Sequence, residues 1–351
     1  MTGRFIGRPQ IGLSVIAALA AAALIIIAVA HPAQAAAGWL IAFLFMSAVP
    51  LGSLTWLLIH RTTGGHWGEA LRPGLEAAAA ATPLLVLAFI PVLVALPLLY
   101  PWASGSADAV KPDVATFYLN IPLFILRFAI AFVGWSVLVF GLARISGRAG
   151  LLFAAAGLIF HIVMVTLVSV DWILSTEPPF ISTSFGATII FTQLLAALAF
   201  AALFARDIDK SAVRDLGGFM LAVVLGVTYI NFMAVLVLWY GDLPTKISWF
   251  VERVREPWIA LAVAAFAFAS VIPILLLLLE RVRASRAALH YVAINIFIGT
   301  ALFDAWLLAP AYGVAALGTA ALAVIALSCG FVAVVRMDWP RQFIDRARKA
   351  L

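Results

Sequence analysis

Apolar residues in this chain gather into long runs separated by short polar breaks. Ten runs can be drawn, at about 11–30, 37–59, 74–100, 117–143, 149–174, 184–205, 216–240, 257–279, 287–309 and 313–335. Each is near the roughly 20 residues that a helix needs to cross a bilayer. The pattern predicts an all-α polytopic membrane protein of about ten transmembrane helices. Pro83, Pro91 and Pro97 in the third run and Pro273 in the eighth predict kinks, because a proline frees a carbonyl that neighbours must then satisfy.

The breaks between the runs give an orientation. With both termini on the inner side, the inner segments collect Arg4, Arg8, Arg61, Arg72, Arg144, Arg148, Arg206, Lys210, Arg214, Arg281, Arg283, Arg286 and the basic tail. Together these are seventeen of the 22 Lys and Arg residues. Lys111, Lys246, Arg253 and Arg255 fall outside, and Arg127 falls within a run. That bias predicts both ends in the cytoplasm. Trp102, Trp172, Tyr240, Trp249 and Trp258 cluster at the outer ends, as an interfacial belt does. The N-terminus imitates a secretory signal, with Arg4 and Arg8 before an apolar run and Ala33-Gln34-Ala35 after it. The run from Ile11 to Ala30 is longer than a signal core, so it reads as a retained first helix.

A weak internal repeat organises the interior. The fifth run ends Val170-Asp171-Trp172 and the ninth ends Phe303-Asp304-Ala305-Trp306; the third ends at Tyr100 and the seventh at Tyr240. Each Tyr precedes its Asp by a similar interval. Spans 2–5 and 6–9 therefore read as two four-helix bundles related by an axis along the membrane normal, with spans 1 and 10 peripheral. The expected units are 1–36, a first four-helix unit at 37–183, a second at 184–310, and a last span with its basic tail at 311–351.

Composition narrows the chemistry. Of the 351 residues, 65% are hydrophobic and 11% charged, against about a quarter charged in soluble domains, and the mean hydropathy is +1.14. The net charge of +6 follows from the inner-side bias and does not call for nucleic acid. A single cysteine, Cys329, excludes a disulfide framework, a cysteine zinc site or an iron–sulfur cluster held by this chain alone. No C-x-x-C-H sequence is present to attach a c-type haem.

The chemically rich stretch is His161 to Thr183, which begins as an apolar helix and ends in a proline-broken turn. Ionisable groups inside a span are costly and mark functional sites. Arg127 is expected about 15 Å deep in the fourth span and His161 about 18 Å deep in the fifth, with Asp171 about 15 Å above it. Thr166 and Ser169 lie between them, and Asp304 sits at a similar outer depth in the other half. A proton relay through Asp171, Ser169, Thr166 and His161, with Arg127, Asp304 and Glu76 as further members, accounts for these groups. Simpler readings stand beside it. Arg127 can bond nearby carbonyls, His161 can be a satisfied interhelical residue, Asp171 can cap an outer turn, and Glu76 can suit a helix start. A quinol pocket is the alternative chemistry, an apolar slot opening to lipid near Asp171, Trp172 and Glu177. The expectation is that this volume is filled by side chains or by lipid.

The run Asp171-Trp172-Ile173-Leu174-Ser175-Thr176-Glu177-Pro178, followed by Ser182-Thr183 and Phe185-Gly186, resembles the signature of one family. It is the F-type membrane subunit of alternative complex III, within the NrfD-like, polysulfide-reductase-anchor superfamily. Tyr118-Leu119-Asn120 and Leu238-Trp239-Tyr240-Gly241-Asp242-Leu243-Pro244 add to the likeness, which covers roughly residues 40–310. The resemblance implies ten helices with two four-helix units. It also implies a place in a bacterial quinol:cytochrome-c oxidoreductase, as a subunit without a redox cofactor of its own. Quinol or menaquinol is the implied small molecule. A sister NrfD-like quinol-binding subunit and subunits carrying iron–sulfur clusters and haem c are the implied partners, besides lipid. Pro179 stands where family members often have His, so a role resting on that His is absent. Two readings of other classes remain, a purely structural anchor for peripheral subunits and a stand-alone transporter.

Overall fold

The computed structural model describes residues 8–105, 110–204, 208–241 and 244–336, and every regular element among them is helical. Arg4, Arg206 and the tail from 337 onward lie outside the described residues, as do Asp242 and Leu243 of the motif after the seventh span. Among the described residues ten helices are long and apolar enough to cross a membrane. They are α1 (Arg8–Ala30), α2 (Pro32–Thr63), α3 (His66–Val94, broken), α4 (Ile121–Arg144) and α5 (Gly147–Trp172). The second half comprises α6 (Phe185–Phe204), α7 (Lys210–Gly241), α8 (Trp258–Leu277, in three pieces), α9 (Arg286–Leu308) and α10 (Ala315–Arg336). The protein is thus a polytopic helical membrane protein. Its ten crossings put Arg8 and Arg336 on one side, here the terminal face; the opposite side is the loop face.

Pro83 and Pro273 mark breaks as expected, whereas Pro91 lies inside the unbroken helix Leu85–Val94 and Pro97 in the first turn of the short helix Leu96–Leu99 that follows. In α3 the helix from His66 stops at Ala79, passes through a 3₁₀ turn at Thr82–Leu84 that contains Pro83, and resumes at Leu85–Val94. In α8 a π-helical turn, Ala267–Val271, lies just ahead of Pro273. Two boundaries differ from expectation: the third span runs His66–Val94, so Glu76 lies in the last turn of the piece His66–Ala79 and not at a helix start. The fourth span starts at Ile121, because Asn120 caps it by accepting from the Leu123 amide at 3.0 Å and Pro122 occupies its first turn. Residues Pro112–Phe117 form a separate short helix. Arg127 therefore lies about 9 Å from the start of its helix, shallower than the run length implies.

Helices α2 and α6 form the centre and pack directly on each other. Their closest approach is Gly52, where a Cβ would collide with the backbone carbonyl of Gln193; small residues at such crossings let helices pack without a hydrophobic drive. Helices α3, α4 and α5 gather round α2, and α7, α8 and α9 round α6. Across the middle, α5 touches α6 and α9 touches α2, so the cross-contacts mirror each other. Helices α1 and α10 pair together against the outside of α2. Two indoles tie α2 to its neighbours by donating to helix carbonyls, Trp39 to Ala88 at 2.7 Å and Trp56 to Leu194 at 3.0 Å.

The two halves are filled differently. Between α2, α3, α4 and α5 lies a continuous aromatic core of Phe43, Phe89, Phe124, Phe132, Trp135 and Trp172, with neighbouring rings in edge or stacked contact. Between α6, α7, α8 and α9 the loop-face half holds a cavity of about 620 Å³.

Candidate functional site

Asp171 lies in the last turn of α5 and is almost fully buried. Both carboxylate oxygens are taken by one guanidinium. Arg127 Nε donates to Oδ2 at 2.6 Å and Nη2 to Oδ1 at 2.9 Å. Nη2 also donates to the Tyr118 carbonyl at 2.9 Å, and the guanidinium lies 4.0 Å over the Tyr118 ring. A bidentate pair of this kind has fixed geometry and a strong charge-assisted component. Beside it, the Tyr100 hydroxyl donates to the Trp172 carbonyl at 3.3 Å, and Trp172 fills the aromatic core. Around Trp172 the rings of Phe43, Phe89, Phe132 and Trp135 pack closely.

Asp304, in the penultimate turn of α9, is equally buried and has neither an ion pair nor a hydrogen bond among the described residues. Its carboxyl faces a cavity of about 20 Å³ shared with Ser47, Ser169, Thr192 and Gln193. Gln193 Oε1 is buried there without a donor. That volume fits one water, which needs two to four polar partners and has them here.

His161 is fully enclosed on α5. Its Nε2 lies 2.8 Å from Thr55 Oγ1, whose own proton goes to the Leu51 carbonyl at 2.8 Å. Nε2 is therefore the donor, and Nδ1 is left buried without a partner. Helix α2 thus carries a polar line. Ser47 faces the Asp304 cavity, Thr55 holds His161, and Arg61 enters a terminal-face pocket of about 230 Å³ with His60, Glu69, Arg72 and Glu76. Within that pocket Arg72 Nε donates to Glu76 Oε1 at 2.7 Å. Successive stations along α2 stand about 9–12 Å apart, a gap that water must bridge for a proton to cross.

The structure divides the residues singled out from the sequence. It joins Arg127 to Asp171, and Ser169 to Asp304 rather than to Asp171. Thr166 is exposed on α5, with its hydroxyl donating back to Ile162 at 2.8 Å, so it stands apart from His161 and Asp171. Glu177 pairs with Arg253 and accepts from Trp249 Nε1 at 3.1 Å. Arg253 also donates to the Leu307 carbonyl at 2.8 Å and stacks 3.7 Å from the Trp249 ring. This knot ties the turn after α5 to the end of α9 through the short helix Pro244–Arg253. Burial lowers the Arg253 guanidinium below its ordinary pKa, and Glu177 opposes that shift. The two tyrosines of the repeat differ, Tyr100 being buried and Tyr240 exposed.

Sequence reasoning missed Ser47, Thr55 and Gln193. Their signal was present, since each is a polar interruption of a strongly apolar run. Arg253 was read only as an outer charge. Among the described residues no three His, Cys, Asp or Glu side chains gather as metal ligands. Compared with known protein families and with curated proteins, the chain matches none.

Proposed function

We propose that this chain is a proton-relay subunit of a bacterial quinol:cytochrome-c oxidoreductase complex of the alternative complex III type, without a redox cofactor of its own. The observation that carries the relay is Asp304. It is a buried carboxyl with no cation beside it among the described residues, facing a water-sized polar cavity at the loop-face end of a line of polar stations. A proton entering at the Glu76 pocket would pass the Thr55–His161 pair and reach Asp304 by way of Ser47, Ser169 and intervening water. Asp171 then has a different part. Held at both oxygens by Arg127, it fixes α4 against α5, and its proton affinity is not what the relay uses. The terminal face, rich in Arg, is the cytoplasmic one in this reading, and the membrane is the bacterial inner membrane.

The assignment to an electron-transfer complex rests on the Asp171–Gly186 resemblance. Partners carrying c-haem and iron–sulfur clusters would dock on the loop face, where Trp102, Trp249 and Trp306 are held in ordered positions. Quinol oxidation would belong to a sister subunit, as the resemblance implies.

Isolation in mild detergent tests the assignment. The expected product is a multi-subunit complex with c-haem absorbance. A monodisperse solitary chain that moves a solute or protons by itself would replace this reading with a stand-alone transporter.

A further inference from the structure

The cavity between α6, α7, α8 and α9 has no part in the relay, and its walls describe a ligand. Among the described residues no charged side chain lines it, while aromatic and aliphatic groups make up most of the surface. It opens sideways. Helix α7 packs against the π-turn and terminal-face half of α8 but parts from the loop-face half, Trp258–Phe266. Tyr229 and Phe232 on α7 and Phe266 on α8 line the cavity and are also exposed on the protein surface. The gap between them faces the hydrocarbon of the loop-face leaflet. Trp249 and Phe250 of the short helix close the cavity toward the headgroups.

At the deep end stand two hydroxyls. Ser270 and Thr300 are both more than nine-tenths buried, line the cavity, and have no hydrogen-bond partner among the described residues. Their neighbours in the same wall behave otherwise. Thr192 donates to Thr188 at 2.9 Å and Thr228 to Val224 at 2.8 Å, as hydroxyls in apolar helices ordinarily do. Ser270 sits in the π-turn of α8, and Thr300 follows Gly299, whose Cα lies against the backbone of Ala269. A Cβ at Gly299 would collide with that backbone. The π-turn and the glycine together bring the neighbouring positions Ala269 and Gly299 into contact, so that Ser270 and Thr300 line the same cavity, Ser270 about 18 Å along α8 from its loop-face end.

We infer that this cavity binds an uncharged membrane amphiphile, head inward, with a carbonyl oxygen accepting from Ser270 and Thr300 and a hydrocarbon chain leaving between α7 and α8. A charged headgroup is disfavoured because nothing in the wall would compensate it at that depth. A plain acyl chain would leave both hydroxyls unpartnered. The carbonyl can belong to an ester lipid such as a diacylglycerol or to a ring ketone on an alkyl chain, and the site's chemistry is the same for both.

The test uses the protein as purified, in its complex if it has one. Detergent-exchanged protein is titrated with dioleoylglycerol, with a decyl-substituted benzoquinone and with dioleoylphosphatidylglycerol, and bound ligand is counted by native mass spectrometry. One of the two neutral ligands should bind at about one copy per chain, and which one identifies the source; the charged phospholipid should not compete. Ser270→Ala with Thr300→Val should weaken that binding by about tenfold or more. Ala262→Phe, which fills the cavity from its α8 wall, should abolish it while leaving the melting temperature unchanged or higher. Equal binding to the double variant, no saturable binding of either neutral ligand, or displacement by the phospholipid would overturn the proposal.

Discussion

Asp171 closes α5 and Asp304 lies near the end of α9, at matching places in the two halves, and both are buried. Around Asp171 the bundle is solid. A guanidinium from the adjacent span takes both oxygens, and stacked Phe and Trp rings fill the space between helices. Around Asp304 there is no cation among the described residues, a water-sized polar cavity adjoins the side chain, and a larger apolar cavity occupies the same half. The same side chain therefore sits in two different settings. A carboxylate held at both oxygens by a guanidinium holds helices together, whereas a carboxyl with free lone pairs and room for water can exchange a proton. The recognisable motif surrounds the first and says little about the second.

The comparison breaks most readily at Arg127. Arg127→Leu leaves Asp171 buried without its partner, which costs about 3–5 kcal/mol. The variant should fail to accumulate or should melt far below the parent in detergent, and Arg127→Leu with Asp171→Leu should recover much of the loss. A melting curve unchanged in the single variant would show that the pair does not hold α4 to α5.

Packing gives the next largest contrast. Phe89, fully buried at the centre of the aromatic core, should cost about 3–5 kcal/mol when cut to Ala. Phe303, which lines the open cavity, should cost less than half of that, because part of its surround is already empty. Equal losses in the two thermal unfolding experiments would mean that the second half is as tightly packed as the first.

The smallest expected effect lies at the loop-face knot. Glu177→Gln keeps the shape and the bond from Trp249 but removes the charge facing Arg253, for about 1 kcal/mol. Arg253 retains the Leu307 and Trp249 carbonyls. The expected sign is faster proteolysis of the 173–184 turn with little change in melting temperature.

Much of this was legible in the chain. Runs of apolar residues set all ten helices, since hydrocarbon forces each backbone to satisfy itself within one element. Pro83 and Pro273 announced local breaks because a missing N–H must show itself somewhere along a helix. Arg127 and Asp171 were legible as costly groups, but not as partners. Pairing depends on where α4 begins, and a polar Asn120 cap, not hydropathy, decides that. The Asp304 cavity was less legible still. Ser47, Ser169, Thr192 and Gln193 come from α2, α5 and α6, and only the crossing of helices at Gly52 brings such distant positions together. The large cavity leaves no periodic trace, because an empty volume is lined by the same apolar residues that face lipid.

The claim that Asp304, and not Asp171, carries the proton is tested by one comparison. Asp304→Asn and Asp171→Asn are reconstituted as assembled complexes in liposomes, haem content is matched, and protons moved per electron are counted with a lumenal pH dye. Asn keeps the volume and removes the titrating proton in both. The account predicts that Asp304→Asn assembles at parental yield yet loses most of its proton movement, by about tenfold or more if the carboxyl is an obligatory station. It predicts that Asp171→Asn loses yield and stability, while whatever assembles moves protons at the parental ratio. Full proton movement by assembled Asp304→Asn, or its loss in assembled Asp171→Asn, would contradict it.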